Sequence, residues 1–327
     1  MHPFSYLEVE SAETAGHAAA QHTGSVFFAG GTTLIDLMKI DVLAPTALID
    51  INRLPFSSIH AAAAGVTIGA NVRNSALAHH PAIRERFPVL TEALLAGASA
   101  QLRNMASTGG NLMQRTRCAY FRDVNSKCNK RVPGSGCDAR TGFTRMHAVL
   151  GGSDQCIATH PSDMCVALIA LDAVVHTQQV NGTRREIPLT EFYRLPADTP
   201  ERETVLWKGE LITHVYIPEQ PVARRSHYLK VRDRSSYEFA LASAAVLLQT
   251  EGGQIVDARI ALGGVGTIPW RSPQAENALR GKAAERATFE AAAEAALAGA
   301  KPLKHNAFKV ELAKRTLVFA LTEIARG

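Results

Sequence analysis

Short apolar runs alternate with polar, alanine-containing stretches through the first part of the chain. The runs at 4–9, 26–29 and 47–51 are rich in Val, Ile, Leu and Phe, which is the strand pattern. The intervening stretches at 12–21 and 33–39 carry apolar residues at three- and four-residue spacing, the helix pattern. A compact β-α-β-α-β unit therefore closes near Pro55. Beyond it the pattern predicts a strand at 66–69, helices at 74–80 and 88–97, and strands near 148–150, 156–158, 173–177 and 211–217. Pro218-Glu219-Gln220-Pro221 punctuates the chain. It is followed by antiparallel strands at 240–249 and 255–262 and helices at 283–300 and 307–326. The alanine tracts at 61–64 and 291–300 read as helix or loop. Three units are expected, 1–56, 57–222 and 223–327, in an α+β chain.

One stretch follows neither period. Residues 117–140 are rich in Arg, Lys, Asn, Gly and Pro, so something other than an apolar core must order them. The irregular insertion spans 113–156 and holds Cys118, Cys128, Cys137 and Cys156. Four thiolates are the complement of an iron–sulfur cluster or a structural zinc, although intervals of nine, eight and eighteen residues match neither a ferredoxin run nor paired zinc knuckles. Disulfides and free thiols are the other readings. A chain long enough to bury its own core has little need of the first, and polar loops offer the second little burial. Cys165 differs: it sits in the apolar, helix-like run at 163–170 and reads as a packed side chain.

Two glycine turns offer anion-binding backbone. Phe28-Ala29-Gly30-Gly31-Thr32-Thr33-Leu34 follows a hydrophobic strand, with Thr32 placed to cap the next helix. Ser107-Thr108-Gly109-Gly110-Asn111-Leu112 lies directly before the cysteine stretch. Glycines let successive N–H groups converge on a phosphate, and a following helix adds its dipole. No G-x-G-x-x-G is present, which argues against a nicotinamide dinucleotide.

Composition narrows the classes further. The chain has 327 residues, 46% hydrophobic and 20% charged, an ordinary globular balance able to bury its cores. A net charge of +5 without interleaved basic and aromatic stripes excludes a nucleic-acid reading and suits an anionic cofactor. No apolar run approaches a membrane span, and the first residues carry no Sec-type signal, so folding in the cytoplasm is expected.

The two glycine turns, with Gln101-Leu102-Arg103-Asn104 before the second, make the chain similar to the flavin subunits of the molybdenum hydroxylase family. That family includes xanthine dehydrogenases, carbon monoxide dehydrogenases and aldehyde oxidoreductases. The resemblance runs through Asp50-Ile51-Asn52, His160-Pro161-Ser162-Asp163, Lys230-Val231-Arg232-Asp233-Arg234 and Ala261-Leu262-Gly263-Gly264-Val265. The cysteine insertion, with Gln114-Arg115-Thr116-Arg117-Cys118 and the stretch from Cys128 to Cys137, resembles that of bacterial periplasmic aldehyde oxidoreductases within the family.

The resemblance implies a two-part vanillyl-alcohol-oxidase-type FAD-binding domain followed by a C-terminal α+β domain of the CO dehydrogenase flavoprotein type. It implies FAD contacts from Phe28, Ala29, Gly30, Gly31, Thr32, Thr33 and Leu34, and from Ser107, Gly110 and Asn111. Thr116 and Asp163 would be further contacts, with Ile212 and Lys230 near the isoalloxazine ring. Without the resemblance, Asp163 reads as a helix cap and Lys230 as a solvated base. By the same likeness Cys118, Cys128, Cys137 and Cys156 hold a [4Fe–4S] cluster. The implied partners are a molybdenum-cofactor large subunit, a [2Fe–2S] small subunit and an external electron acceptor. This chain then carries no catalytic acid or base, and it reaches the periplasm only with a signal-bearing partner. The rival readings are a stand-alone FAD-dependent oxidase or reductase and a zinc-stabilised, non-enzymatic assembly subunit.

Overall fold

The computed structural model describes residues 1–326. Strands β1 (Ser5–Glu8), β2 (Ser25–Phe28) and β3 (Ala47–Asp50) form a parallel sheet in the order β1-β3-β2, with Ala47 level with both Ser5 and Ser25. Helices α1 (Ala12–Gln21) and α2 (Leu34–Lys39) make the two crossovers. A capping box between Ser11 and Thr14 starts α1. Its buried Ala15 and Ala19 pack with Ile49, Ile51, Leu54 and Leu211.

The second sheet is antiparallel, in the order β4-β5-β8-β6-β7: β4 (Ile59–Ala62), β5 (Gly65–Gly69), β6 (Val174–Gln178), β7 (Arg184–Pro188) and β8 (Leu211–Pro218). Helices α3 (Asn74–His79), α4 (Pro81–Arg86), α5 (Pro88–Ala96), α6 (Ala100–Met105), α7 (Thr108–Leu112), α8 (Ala119–Arg122), α9 (Asp163–Ala170) and α10 (Leu189–Phe192) lie along the chain between its strands. Every residue of α9 from Met164 to Ala170 is buried, which suits a helix apolar on all sides.

The third sheet runs β12-β11-β10-β9 and is also antiparallel: β9 (Ser226–Val231), β10 (Ala242–Glu251), β11 (Gln254–Gly263) and β12 (Trp270–Arg271). Gly252 and Gly253, both at positive φ, close the β10–β11 hairpin as a primed turn requires. Helices α11 (Pro273–Leu279), α12 (Arg286–Leu297) and α13 (Phe308–Arg326) follow. Strand β10 is apolar on both faces because both are covered. Ala245 and Leu247 join the core shared with α5 and α9, while Ala244, Val246 and Leu248 join the core under α12 and α13.

Several expectations are corrected. The predicted strands at 148–150 and 156–158 join no sheet; they make only isolated contacts, such as Ala148 N–H to Ile157 O at 2.9 Å and a single bridge from Leu150 to Gly266. The alanine tract at 61–64 supplies part of β4 and its turn, because pairing with β5 overrides alanine's helix preference. Thr32 does not cap α2; Thr33 holds that position and makes no side-chain cap bond. Gly109 and Gly110 lie inside α7 rather than in a turn before a helix, since Ser107 caps it and accepts the Gly110 N–H at 3.2 Å. Asp163 is not the cap of α9, because Ser162 accepts the Cys165 N–H there. No helix among the described residues is long and apolar enough to cross a membrane.

Candidate functional site

The two glycine segments meet. Gly30 approaches the main chain at Met105 and Ala106 so closely that a Cβ built on it would lie 2.7 Å from the Met105 carbonyl carbon. Gly31 adopts φ +69, the left-handed region that favours glycine. Arg73 braces the contact, donating from Nη1 to Met105 O at 2.6 Å and from Nη2 to Asn52 Oδ1 at 2.9 Å. Asn52 in turn donates to Ala29 O at 3.1 Å and to Asp50 Oδ1 at 2.6 Å. The Asp50-Ile51-Asn52 segment thus ties the β2–α2 loop to the loop between α6 and α7.

Two clefts open on either side of this junction and share Thr32, Thr33 and Gly110. The first, of about 470 Å³, is lined by the loop from Ala29 to Leu34, by Ser107, Gly109 and Gly110, and by Leu211 and Ile212 of β8. The second, of about 500 Å³, is lined by Asn111, Asp163, Lys230, Arg103, Arg117 and Phe239, among others. Among the described residues, each cleft has a buried side-chain carbonyl oxygen with no hydrogen-bond partner: Asn71 Oδ1 in the first and Asn74 Oδ1 in the second. A buried acceptor left unpaired is costly, so these atoms suit a polar ligand lying along both clefts. Cleft volumes in this range are those of small-molecule sites.

Asp163 is the electrostatic centre of the second cleft. Its Oδ1 accepts from Tyr228 Oη at 2.6 Å and its Oδ2 from Lys230 Nζ at 2.8 Å. Lys230 is not a solvated base: its side chain is 4% exposed and also donates to Ala96 O at 3.1 Å. Burial, and then the neighbouring Asp163 carboxylate, push the Tyr228 hydroxyl well above its usual range. At the mouth, Asp36 binds Arg122 and Arg117, both at 2.7 Å, and the Arg122 hydrogen bond foremost holds its carboxyl low.

The remaining site residues fall variously. Ser107 spends its hydroxyl on the α7 cap. Asn111 Oδ1 accepts from Ser162 Oγ at 2.7 Å and from Gln114 at 2.6 Å. Phe28 precedes the first cleft and stacks edge-on with Tyr6. Thr116 lines neither cleft; it is buried, donates to Thr159 O at 3.0 Å and accepts the Cys118 N–H at 3.2 Å. Ile212, on β8 of the second sheet, lines the first cleft, and Lys230, on β9 of the third, lines the second.

Sequence reasoning missed Asn71, Asn74, Tyr228 and the Asp36–Arg117–Arg122 cluster. Only Tyr228 left a signal, since it sits two residues from Lys230 on one strand and so shares its face.

The four insertion cysteines converge. Cys118, Cys128, Cys137 and Cys156 line one small cavity, and all five cysteines are free. Cys128 and Cys137 bridge across two antiparallel segments. Burial pushes the Cys118 thiol up to about 12 against the pull of the Phe121 and Tyr120 N–H groups, and it raises Cys137 and Cys156 too. The Ala158 N–H points at Cys156 Sγ at 3.5 Å, and His147 Nε2 lies 3.1 Å from Cys118 Sγ. Among the described residues no three His, Cys, Asp or Glu side chains stand ready to grip a single metal ion. Cys165 lies apart, fully buried, with its sulfur 3.0 Å from Tyr193 Oη.

Residues 2–220 match the family described as the FAD binding domain in molybdopterin dehydrogenase, and residues 227–324 match the CO dehydrogenase flavoprotein C-terminal domain. The chain is 49% identical over 324 residues to the aldehyde oxidoreductase FAD-binding subunit of Escherichia coli (strain K12), covering 99% of this chain and 98% of that one. It is 27% identical to the glyceraldehyde dehydrogenase medium chain of Sulfolobus acidocaldarius, over 85% of this chain and 82% of that one. In structure it resembles a chain of carbon monoxide dehydrogenase from Hydrogenophaga pseudoflava, with a TM-score of 0.76, 26% identity and 98% of each chain covered.

Proposed function

This chain belongs to the FAD-binding subunits of the molybdenum hydroxylase family, and on that premise we propose that it is the flavin subunit of a multi-subunit, molybdenum-dependent aldehyde oxidoreductase. The observation that carries the reading is the end-to-end 49% identity to an aldehyde oxidoreductase FAD-binding subunit, on a fold whose glycine segments join two clefts. The aldehyde is oxidised at a molybdenum centre on a partner large subunit, and [2Fe–2S] clusters of a small subunit connect that centre to this chain. The isolated chain is inactive towards aldehyde.

The residues present fit FAD. Gly30, Gly31, Thr32 and Thr33 line the junction beside Gly110, and the backbone amides of that β2–α2 loop suit a diphosphate. The second cleft, with Asp163 and Lys230, and the first, mostly apolar and bearing Ile212, would hold the two halves of the molecule on either side of that diphosphate. Bound FAD supplies one- and two-electron transfer, while the protein sets orientation and electrostatics. Lys230 holds a fixed positive charge and Asp163 a fixed acceptor in that cleft. Tyr228 keeps the Asp163 carboxylate turned towards β9.

The four insertion cysteines also fit a [4Fe–4S] cluster: four unpaired thiols face one cavity, with N–H groups aimed at their sulfurs. Such a cluster orders an insertion that lacks a core of its own. Export with a signal-bearing partner completes the reading, and cell fractionation of the assembled complex checks it. The decisive experiment is anaerobic purification with and without the partner subunits. About one FAD and four iron per chain, with aldehyde turnover only in the assembled complex, is the expected result. Turnover by the isolated chain overturns the subunit role, and stoichiometric zinc in place of iron overturns the cluster.

A further inference from the structure

We propose that His147 donates a hydrogen bond from Nε2 to the sulfur of Cys118 and so sets the reduction potential of the cluster that the four cysteines hold; this rests on the cluster reading above. His147 is 4% exposed, and its Nε2 stands 3.1 Å from Cys118 Sγ. The other ring nitrogen, Nδ1, is buried and has no partner among the described residues, where the sulfur is the ring's sole polar contact. A cluster-bound thiolate accepts and cannot donate, so the hydrogen lies on Nε2.

Residues far away in sequence aim the ring. The His147 carbonyl accepts from Asn306 Nδ2 at 3.2 Å and from Lys309 Nζ at 3.1 Å, and Asn306 and Lys309 are both fully buried. Lys309 also reaches Met146 O at 3.3 Å, Asn306 also reaches Ala148 O at 3.3 Å, and the Lys301 N–H reaches Val149 O at 2.7 Å. The C-terminal unit therefore clamps the closing limb of the insertion. On the opposite side Thr116 ties the base of the same cysteine to Thr159. A buried imidazole loses its hydration, and an apolar side chain would fill the space at lower cost. A hydrogen bond to a ligand sulfur withdraws electron density and favours the reduced, more negative cluster, so it raises the potential.

The test is an anaerobic redox titration of the full chain, followed by the electron paramagnetic resonance signal of the reduced cluster, for wild type, His147→Leu and His147→Gln. The expected result is a more negative midpoint in His147→Leu at unchanged iron content, with His147→Gln, which keeps an N–H donor, returning towards wild type. If His147→Leu retains four iron at the wild-type midpoint, the proposal is overturned. Loss of the cluster in His147→Leu but not in His147→Gln supports it; loss in both marks a purely structural role and overturns it. Wild-type protein without iron defeats the cluster reading itself, and this inference with it.

Discussion

Replacing Gly30 with alanine is the sharpest probe of how the site is assembled. The added methyl would sit 2.7 Å from the Met105 carbonyl carbon and 3.2 Å from Ala106 Cα, with the Met105 oxygen nearer still. Carbon atoms pack at roughly 3.5–4.0 Å, so the β2–α2 loop and the α6–α7 loop must part by about 1 Å. The obstacle is main chain, and it is held: Arg73 grips Met105 O, and the Asn74 N–H bonds to Ala106 O at 2.9 Å. Overpacking of this kind costs about 1–3 kcal/mol, and rigid neighbours put it near ~3. At roughly 2–4 °C per kcal/mol, Tm falls by about 6–12 °C. The junction of the two clefts moves with the loops, so FAD content falls as well. The assay is a thermal melt paired with flavin quantification. Gly182→Ala is the control: its site, at φ +83, is open, so it pays only left-handed strain of about 1–2 kcal/mol and keeps its flavin. A Gly30→Ala protein with wild-type Tm and full flavin would refute the reasoning.

Asp163→Asn removes the carboxylate opposite the buried Lys230 side chain and so breaks a buried ion pair, costing on the order of 3–5 kcal/mol in urea unfolding and lowering FAD content; an unchanged midpoint contradicts the pairing. Cys118→Ser is expected to lower iron content, whereas Cys165→Ser keeps full iron and changes only stability; equal iron loss in both would sink the division between them. His227 accepts its raised affinity for a proton from the Glu92 hydrogen bond, so its stabilisation is complete below its unfolded value of about 6.5 and is lost as pH rises through its higher folded value. His227→Gln should therefore destabilise the protein at pH 5.5 and not at pH 9, read from denaturation midpoints. Burial pushes Lys309 down to about 7, so the unfolded chain binds the extra proton and this residue makes stability rise with pH from about 7 towards 10.4. Lys309→Met should flatten that rise, and an unaltered slope would dismiss it.

Much of the architecture was legible because local periodicity and burial agreed. Strands β1 to β3, helices α1 and α9, the β10–β11 hairpin and helices α12 and α13 all stand where the apolar pattern puts them, within a few residues. The α+β class and the flavin-subunit fold follow from that pattern together with the motif resemblance. Elements whose identity depends on a distant partner were not legible. Alanine-rich β4 is a strand only because β5 offers it a ladder, and 148–150 fails as a strand because it meets single bonds instead of one.

The same boundary runs through the site. Sequence alone determined which chemistry is present: glycines where backbone must come close, four cysteines in a segment without a core, and an acid and a lysine in separate motifs. These are properties of residue type and short-range spacing. Tertiary structure decided which of them meet. It seats Gly30 against Met105, pairs Asp163 with Lys230 and Tyr228 across 65 to 67 positions, sends Ile212 and Lys230 to different clefts, and brings His147 to Cys118 under the hold of Asn306 and Lys309. Such pairings depend on how three sheets pack, and packing is settled by the burial of whole apolar faces, which no local window of sequence contains.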